Sequence, residues 1–297
     1  MIRMAQEEDL LDVRRVPFDA DSTWADIAAV HDPAYVHAVR TGVPQRLAES
    51  QGFRWSPAQA EAVARIWNGH IAACRLALTE GLVFHPVSGA HHAGAASGSG
   101  FCTFNFLSGA ARAMLREGRR MVAVIDLDVH QGNGTHELEN GNPGVALFDI
   151  AGGRWVDVVN TDRIEYHIVR NAAAYREALQ RLPAFLDRVR PDLVQYQAGM
   201  DPFEEDPIGG LDGVSEPFLK WRDAFVIGHV RRRAIPLVVN LAGGYGRGVS
   251  ERLHLNTARI MAGRNGVDWT NGWTSANGTG PASGAAAGGN ARPQIGG

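Results

Sequence analysis

The sequence predicts an α/β protein: a single domain built on a mostly parallel β-sheet flanked by helices, with its chemistry gathered at one end of the strands. Three observations carry this. Short apolar, strand-like runs alternate with helical stretches, the pattern of a parallel sheet covered on both faces. The run Met121-Val122-Ala123-Val124-Ile125 is continuously apolar, as a strand buried on both faces must be. Each unusual polar cluster follows such a strand, where open parallel sheets build their crevices.

Composition bounds the problem without deciding it. The chain has 297 residues, 45% of them hydrophobic and 21% charged, which is ordinary for a globular protein with material for a sizeable core. The formal net charge is −3, and Lys220 is the only lysine among otherwise scattered arginines. No basic stripe tracks a phosphate backbone, so direct nucleic-acid binding is not expected. The run Arg231-Arg232-Arg233 reads as a solvated helix end. The first twenty residues lack the apolar core of a signal peptide, and no apolar run reaches the roughly 18 residues that span a bilayer. A cytoplasmic protein without membrane contact is expected. Cys74 and Cys102 match no CxxC spacing, which suits a reducing compartment and not a disulfide framework.

Taken in order, a helix is expected from Pro57 to Glu80, with Ser56 as its cap, Pro57 in its first turn and Gly81 as its stop. Its apolar positions recur at helical spacing and place Cys74 in packing. A strand from Leu82 to Val87 leads into the Gly-rich stretch Ser88 to Gly94, and a helix follows from Asn105 to Glu117. The strand Met121 to Ile125 runs into the polar cluster Asp126 to His136. One helix, disturbed at Pro183, is expected over 172–190. The strand Leu193 to Tyr196 runs into Asp201. A helix over 216–232 precedes the strand Pro236 to Asn240, which ends in Gly243-Gly244-Tyr245. A catalytic domain over 1–263 is expected, followed over 264–297 by a Gly/Ala/Asn-rich tail too polar and too small in its side chains to offset its ordering entropy.

The segment Asp126-Leu127-Asp128-Val129-His130 is the most informative. In extended backbone the first, third and fifth side chains share a face, so both carboxylates and the imidazole would enter one pocket. Carboxylates clustered at a buried strand end need a cation or donors to offset repulsion and desolvation. The plain alternative is an acidic strand end leaving for solvent. Taken alone, His91-His92 reads more simply as core or loop hydrogen bonding and Tyr245 as a packed aromatic, and Asp201 before Pro202 reads also as a turn or cap residue. Together they point to a metal centre.

The ordered set is more specific than its parts. Ser88-Gly-Ala-His-His-Ala-Gly, Ser99-Gly-Phe-Cys-Thr-Phe-Asn, Ile125-Asp-Leu-Asp-Val-His-Gln-Gly-Asn-Gly-Thr, Ala198-Gly-Met-Asp-Pro, Asp206-Pro-Ile-Gly-Gly-Leu and Gly243-Gly-Tyr resemble the motifs of the histone deacetylase family in their family order, from about His31 to Ala262. The resemblance implies an arginase/deacetylase-like sheet and a zinc-dependent hydrolase of acylated amines. It implies that Asp128, His130 and Asp201 bind one zinc ion and leave positions open for water and a substrate carbonyl. His92 would be the general base, with His91 its electrostatic partner, Tyr245 the oxyanion donor, and Asp126 the residue that orients His91 beside a monovalent cation such as K+. Gly100 and Phe101 would line the tunnel that admits an acyl-lysine; Cys102 reads as structural. Carboxylate-rich ligation also accommodates Fe2+.

Two departures stand out. Asn133 occupies the place where better-known members pair an aspartate with the second histidine, and the run His130-Gln-Gly-Asn-Gly resembles the class IV branch, whose members favour long fatty acyl groups. The family's leading strand, ahead of a segment matched by Glu8-Asp9-Leu10 or better by Ala25-Asp26-Ile27 through Val30-His31 and Tyr35-Val36, has no counterpart in the sequence: either the natural start lies further upstream, or a sheet edge is exposed and part of the tunnel rim is absent. The expected substrate is an Nε-acyl-lysine in a protein or peptide. An acetylpolyamine or other small acylated amine is the second expectation, and a catalytically silent metal-binding protein the third. Arginase-like ureohydrolases hold two manganese ions, and the single-metal set with its histidine pair argues against them.

Overall fold

The structure is a computed structural model and describes residues 2–10 and 12–264, so the expected tail lies outside the described residues apart from Arg264. Six strands form one all-parallel sheet: β1 (Leu82–Ser88), β2 (Val122–Asp126), β3 (Val145–Ala151), β4 (Ile164–Ile168), β5 (Leu193–Ala198) and β6 (Leu237–Leu241), in the order β1-β6-β5-β2-β3-β4. The helices are α1 (Ile2–Glu7), α2 (Ala20–Ala28), α3 (Pro33–Thr41), α4 (Gln45–Ala48), α5 (Pro57–Glu80), α6 (Phe106–Arg116), α7 (Asn133–Glu139), α8 (Ala172–Leu179), α9 (Leu182–Val189), α10 (Glu216–Arg232) and α11 (Val249–Met261). Every residue of β2, β3 and β5 is buried whichever way its side chain points, so helices cover both faces. The expected fold class is therefore the observed one.

Local chemistry sets the elements. Ser56 Oγ accepts the Gln59 N–H at 3.1 Å and caps α5, Pro57 occupies its first turn, and Gly81 ends it at φ +81°. Asn105 caps α6 in the same way, accepting the Ser108 N–H at 2.9 Å. Trp67 on α5 is 1% exposed and meets Phe104 and Phe106 edge-on, with centroids 6.4 and 6.3 Å away. Trp67→Ala is expected to cost roughly 3 to 5 kcal/mol of stability, read from denaturant unfolding. A loss under about 1 kcal/mol would show that α5 and α6 repack without it.

Three expectations change. The helix over 172–190 is two helices that break at Gln180-Arg181, because Pro183 suits the first turn of a helix and not its interior. Strands β3 and β4 were not anticipated. The second of them, Ile164-Glu165-Tyr166-His167-Ile168, carries a buried glutamate bonded by Arg181 at the start of α9 at 3.1 Å, by Arg188 of α9 at 2.5 Å and by His167 of the strand itself at 3.2 Å. Asp126 ends β2, and 128–130 lie in bends beyond it, not in an extended run. The arginine run does close α10, where Arg233 bonds Asp187 at 2.7 Å. Among the described residues no strand precedes Leu82, and β1 pairs with β6 alone. No helix among them is long and apolar enough to cross a membrane.

Because all six strands run in one direction, their carboxyl ends open onto a common edge. His91-His92 follows β1, Asp126 to Asn133 follows β2, Gly152 to Trp155 follows β3, Arg170 follows β4, Asp201 follows β5 and Gly243 to Tyr245 follows β6. The topology alone brings these six loops together.

Candidate active site

Beyond β2 the chain turns by aspartates accepting amides two residues ahead. Asp126 Oδ1 takes the Asp128 N–H at 3.2 Å, and Asp128 Oδ1 takes the His130 N–H at 2.9 Å. These turns, not strand alternation, aim the side chains, and they send them to different partners. Asp126 Oδ2 reaches His91 Nδ1 at 2.7 Å, whereas Asp128 and His130 meet Asp201 from β5. His130 Nδ1 lies 3.0 Å from both Asp128 Oδ1 and Asp201 Oδ2. The second oxygens are held by backbone: Asp128 Oδ2 by the Gly243 N–H at 2.7 Å and Asp201 Oδ1 by the Val129 N–H at 2.9 Å. A Cβ on Gly243 would collide with the Asp201 carboxylate, which explains a glycine there.

Asp128 and Asp201 are almost wholly buried and cannot both be ionised without a cation. Burial, then repulsion from Asp128, raises the Asp201 pKa. Asp128, despite burial, is held well below the usual carboxylate range by the positive charge of His91 and its bonds to His130. His130 is raised to about 10 because bonds to the two carboxylates outweigh desolvation. A proton on His130 Nδ1 thus fills the same electrostatic need as a metal. One ligand atom from each of Asp128, His130 and Asp201 lies within 4.8 Å of the other two, so the donor set fits a single metal ion with two carboxylates and one imidazole.

The histidine pair has opposed electrostatics. His91 Nε2 and His92 Nε2 face each other at 3.1 Å. His91, although buried, is raised to about 9 by Asp126 and Asp128, while His92 is lowered to about 3 by burial and by the positive charge of His91. His92 Nδ1 donates to Asn133 Oδ1 at 2.7 Å, which leaves Nε2 as its unprotonated nitrogen. Its loop is fixed by His31 and Asn105, which also bond each other. His31 Nδ1 donates to Gly94 O at 2.9 Å and its Nε2 accepts the Asn105 N–H at 3.1 Å, while Asn105 Nδ2 reaches Ala93 O at 3.2 Å.

The mouth is aromatic. Gly100, at φ +50°, lies so close to the His92 ring that a Cβ would strike it. Phe101 is 55% exposed and so is not a core residue; it packs on Phe53 with centroids 5.4 Å apart and stands 6.5 Å from Tyr245. Across the opening, Trp155 stacks on His130 at 5.4 Å and 20° and lies 4.6 Å from His92. Buried Gln131 clamps that loop, its Oε1 accepting the Trp155 and Val156 N–H groups at 2.7 and 2.9 Å. Tyr245 is placed by Asp206, whose Oδ2 accepts its N–H at 2.7 Å, and burial raises its phenol further above its ordinary range, so it stays a donor. Cys102 is buried and its thiol is pushed up to about 12 by desolvation, which fits a structural cysteine.

The structure therefore gathers every residue singled out from the sequence around one cleft. Trp155, Asp206, His31 and Gln131 are additions. Asp206 lay within a quoted motif and Gln131 within the His-Gln-Gly-Asn run; Trp155, alone in a loop without periodicity, left no signal.

Residues 1–153 and 160–261 match the histone deacetylase domain, a longer match than the motifs alone outline. Similar proteins include histone deacetylase 2 of Arabidopsis thaliana, 35% identical over 193 residues that cover 60% of this chain and 48% of that one. Acetylpolyamine amidohydrolase 1 of Pseudomonas aeruginosa is 25% identical over 256 residues, covering 76% of this chain and 70% of the other. The crystal structure of an acetylpolyamine aminohydrolase from Burkholderia pseudomallei shares the fold with a TM-score of 0.70 at 22% identity, covering 89% of both chains. With the domain match running through nearly all of the described residues and the parallel sheet shared, the chain belongs to the histone deacetylase family of hydrolytic deacetylases.

Proposed function

We propose that the chain hydrolyses the amide bond of Nε-acyl-lysine in proteins or peptides, with Asp128, His130 and Asp201 holding a zinc ion. The observation that carries the reading is the convergence of this buried donor triad with a histidine pair of opposed charge and a phenol, all behind an aromatic mouth. A divalent ion in that triad supplies Lewis acidity to polarise the substrate carbonyl and acidify a water molecule. Gly100, Phe101 and Trp155 enclose the aliphatic chain of the substrate and narrow the path of bulk water. His92 Nε2, kept neutral, takes a proton from the attacking water and delivers it to the departing amine nitrogen. His91, held by Asp126, carries the positive charge beside it. The Tyr245 hydroxyl donates to the carbonyl oxygen as it gains negative charge.

The resemblance also implies a monovalent cation near Asp126. Asp149, the register partner of Asp126 on β3, has a buried Oδ1 without a hydrogen-bond partner among the described residues and would be a donor for it.

Metal-loaded protein assayed on acetyl-, octanoyl- and myristoyl-lysine peptides beside acetylputrescine, with and without a hydroxamate, tests the reading. Hydroxamate-sensitive turnover of a lysine peptide supports it, and turnover of the polyamine alone would replace it with the second reading, which the names of the amidohydrolase relatives favour. Metal analysis of the active protein separates zinc from Fe2+. The base assignment has its own test. Asn133→Asp places a negative charge on His92 Nδ1, stabilises the imidazolium and raises the pKa of His92, by about 1 to 3 units for an adjacent opposite charge. Since the neutral form is the active one, the acid limb of kcat/KM should move to higher pH by that amount. An unmoved limb would exclude His92 as the base.

A further inference from the structure

Beside the donor triad lies a pocket of about 260 Å³ that the reaction as described leaves unused. Val129, the His130 ring, Trp155, Ile208 and Leu211 make its walls, and Arg170 reaches it from the end of β4. No acidic side chain lines it. The Arg170 side chain donates through Nη1 to the Gly152 carbonyl and makes no ion pair among the described residues, which leaves its remaining N–H groups without a charged partner. Arg154, in the loop that carries Trp155, is paired with Asp157. The carboxylate of the adjoining loop, Asp206, is turned inward onto the Ile208, Gly209 and Tyr245 amides. Trp155 lies within 154–159, the stretch that falls between the two matched segments of the family domain.

We propose that the pocket receives a carboxylate carried on the amine side of the substrate, bound by Arg170, so that the enzyme favours acylated amino acids and acid-bearing peptides over acylated polycations; this rests on the amide-hydrolase reading of the adjacent centre. A guanidinium anchored on a carbonyl keeps its planar donors oriented, and carboxylate is the group that matches them. The apolar walls take up methylenes and strengthen the charge interaction by excluding water. The distal ammonium of a polyamine would meet a fixed positive charge there and no acid.

The test uses full-length, metal-loaded protein and a length series of linear hydroxamates that end in a carboxylate or in the matching carboxamide, with binding followed by calorimetry. At the best length the carboxylate should bind about fivefold tighter, with the advantage shrinking as salt rises. Arg170→Gln should bring the ratio close to one and Arg170→Lys should retain part of it. In parallel, kcat/KM for Nα-blocked Nε-acetyl-lysine should favour the free acid over its amide, through KM. A wild-type ratio near one, or a ratio that survives Arg170→Gln, overturns the proposal, while turnover of the amide would leave the hydrolase reading standing. A preserved binding ratio without turnover of any acyl amine supports the pocket and removes the hydrolase reading instead.

Discussion

Asp201→Asn should leave a folded protein that no longer retains stoichiometric metal and has lost at least about three decades of turnover. The substitution keeps the shape of the side chain and a carbonyl oxygen for the Val129 N–H, now at 2.9 Å, but removes the charge facing His130. Lewis-acid assistance by a bound ion is worth several kcal/mol, and each 1.4 kcal/mol is about tenfold in rate, which sets the scale of the loss. The aspartate is buried beside Asp128, which raises its pKa, so without a cation the neutral amide costs the fold nothing comparable. Metal content per chain, circular dichroism and the melting shift on adding zinc report separately. Wild-type protein should bind one ion and melt higher with zinc; the variant should melt cooperatively and respond little. A variant with one ion per chain and full turnover would remove Asp201 from the ligand set, and two ions per wild-type chain would sink the single-metal centre.

Tyr245→Phe should lower kcat by roughly 100- to 1,000-fold, the usual cost of deleting one oxyanion donor, with KM and metal content little changed. The Tyr245 backbone is anchored on Asp206 at 2.7 Å and its ring stands 6.3 Å from that of His130, so phenylalanine can take the same place. The phenol remains protonated across the working range because burial raises its pKa, so the loss should not depend on pH. If KM rises instead and kcat holds, the hydroxyl binds the ground state, and the oxyanion donor must be sought elsewhere.

The sequence by itself determined the class of fold and pointed to most of the residues that meet in the candidate site, and the reasons are local. A short, continuous, β-branched apolar run such as Val122 to Ile125 reads as a strand covered on both sides, and the Ser56-Pro57 start and Gly81 stop fix α5 through its own backbone groups. Parallel strands then oblige every following loop to share one edge, so the motifs after them were already committed to a common cleft. What needed the tertiary structure was direction and partnership. Asp126, Asp128 and His130 looked like one face of a strand, yet side-chain-to-amide bonds turn the backbone after Asp126, and only Asp128 and His130 meet Asp201. The buried Glu165 made β4 illegible, since the arginines that pair with it lie 16 and 23 residues further along, at the start of α9 and within it. Trp155 and Arg170 carry no periodic signal; they matter because Gln131, 24 residues before Trp155, clamps its loop, and because β4 ends beside that loop. Local propensities and patterns are written in neighbouring residues, whereas the electrostatics of a site arise from groups that only chain topology brings within a few ångströms of one another.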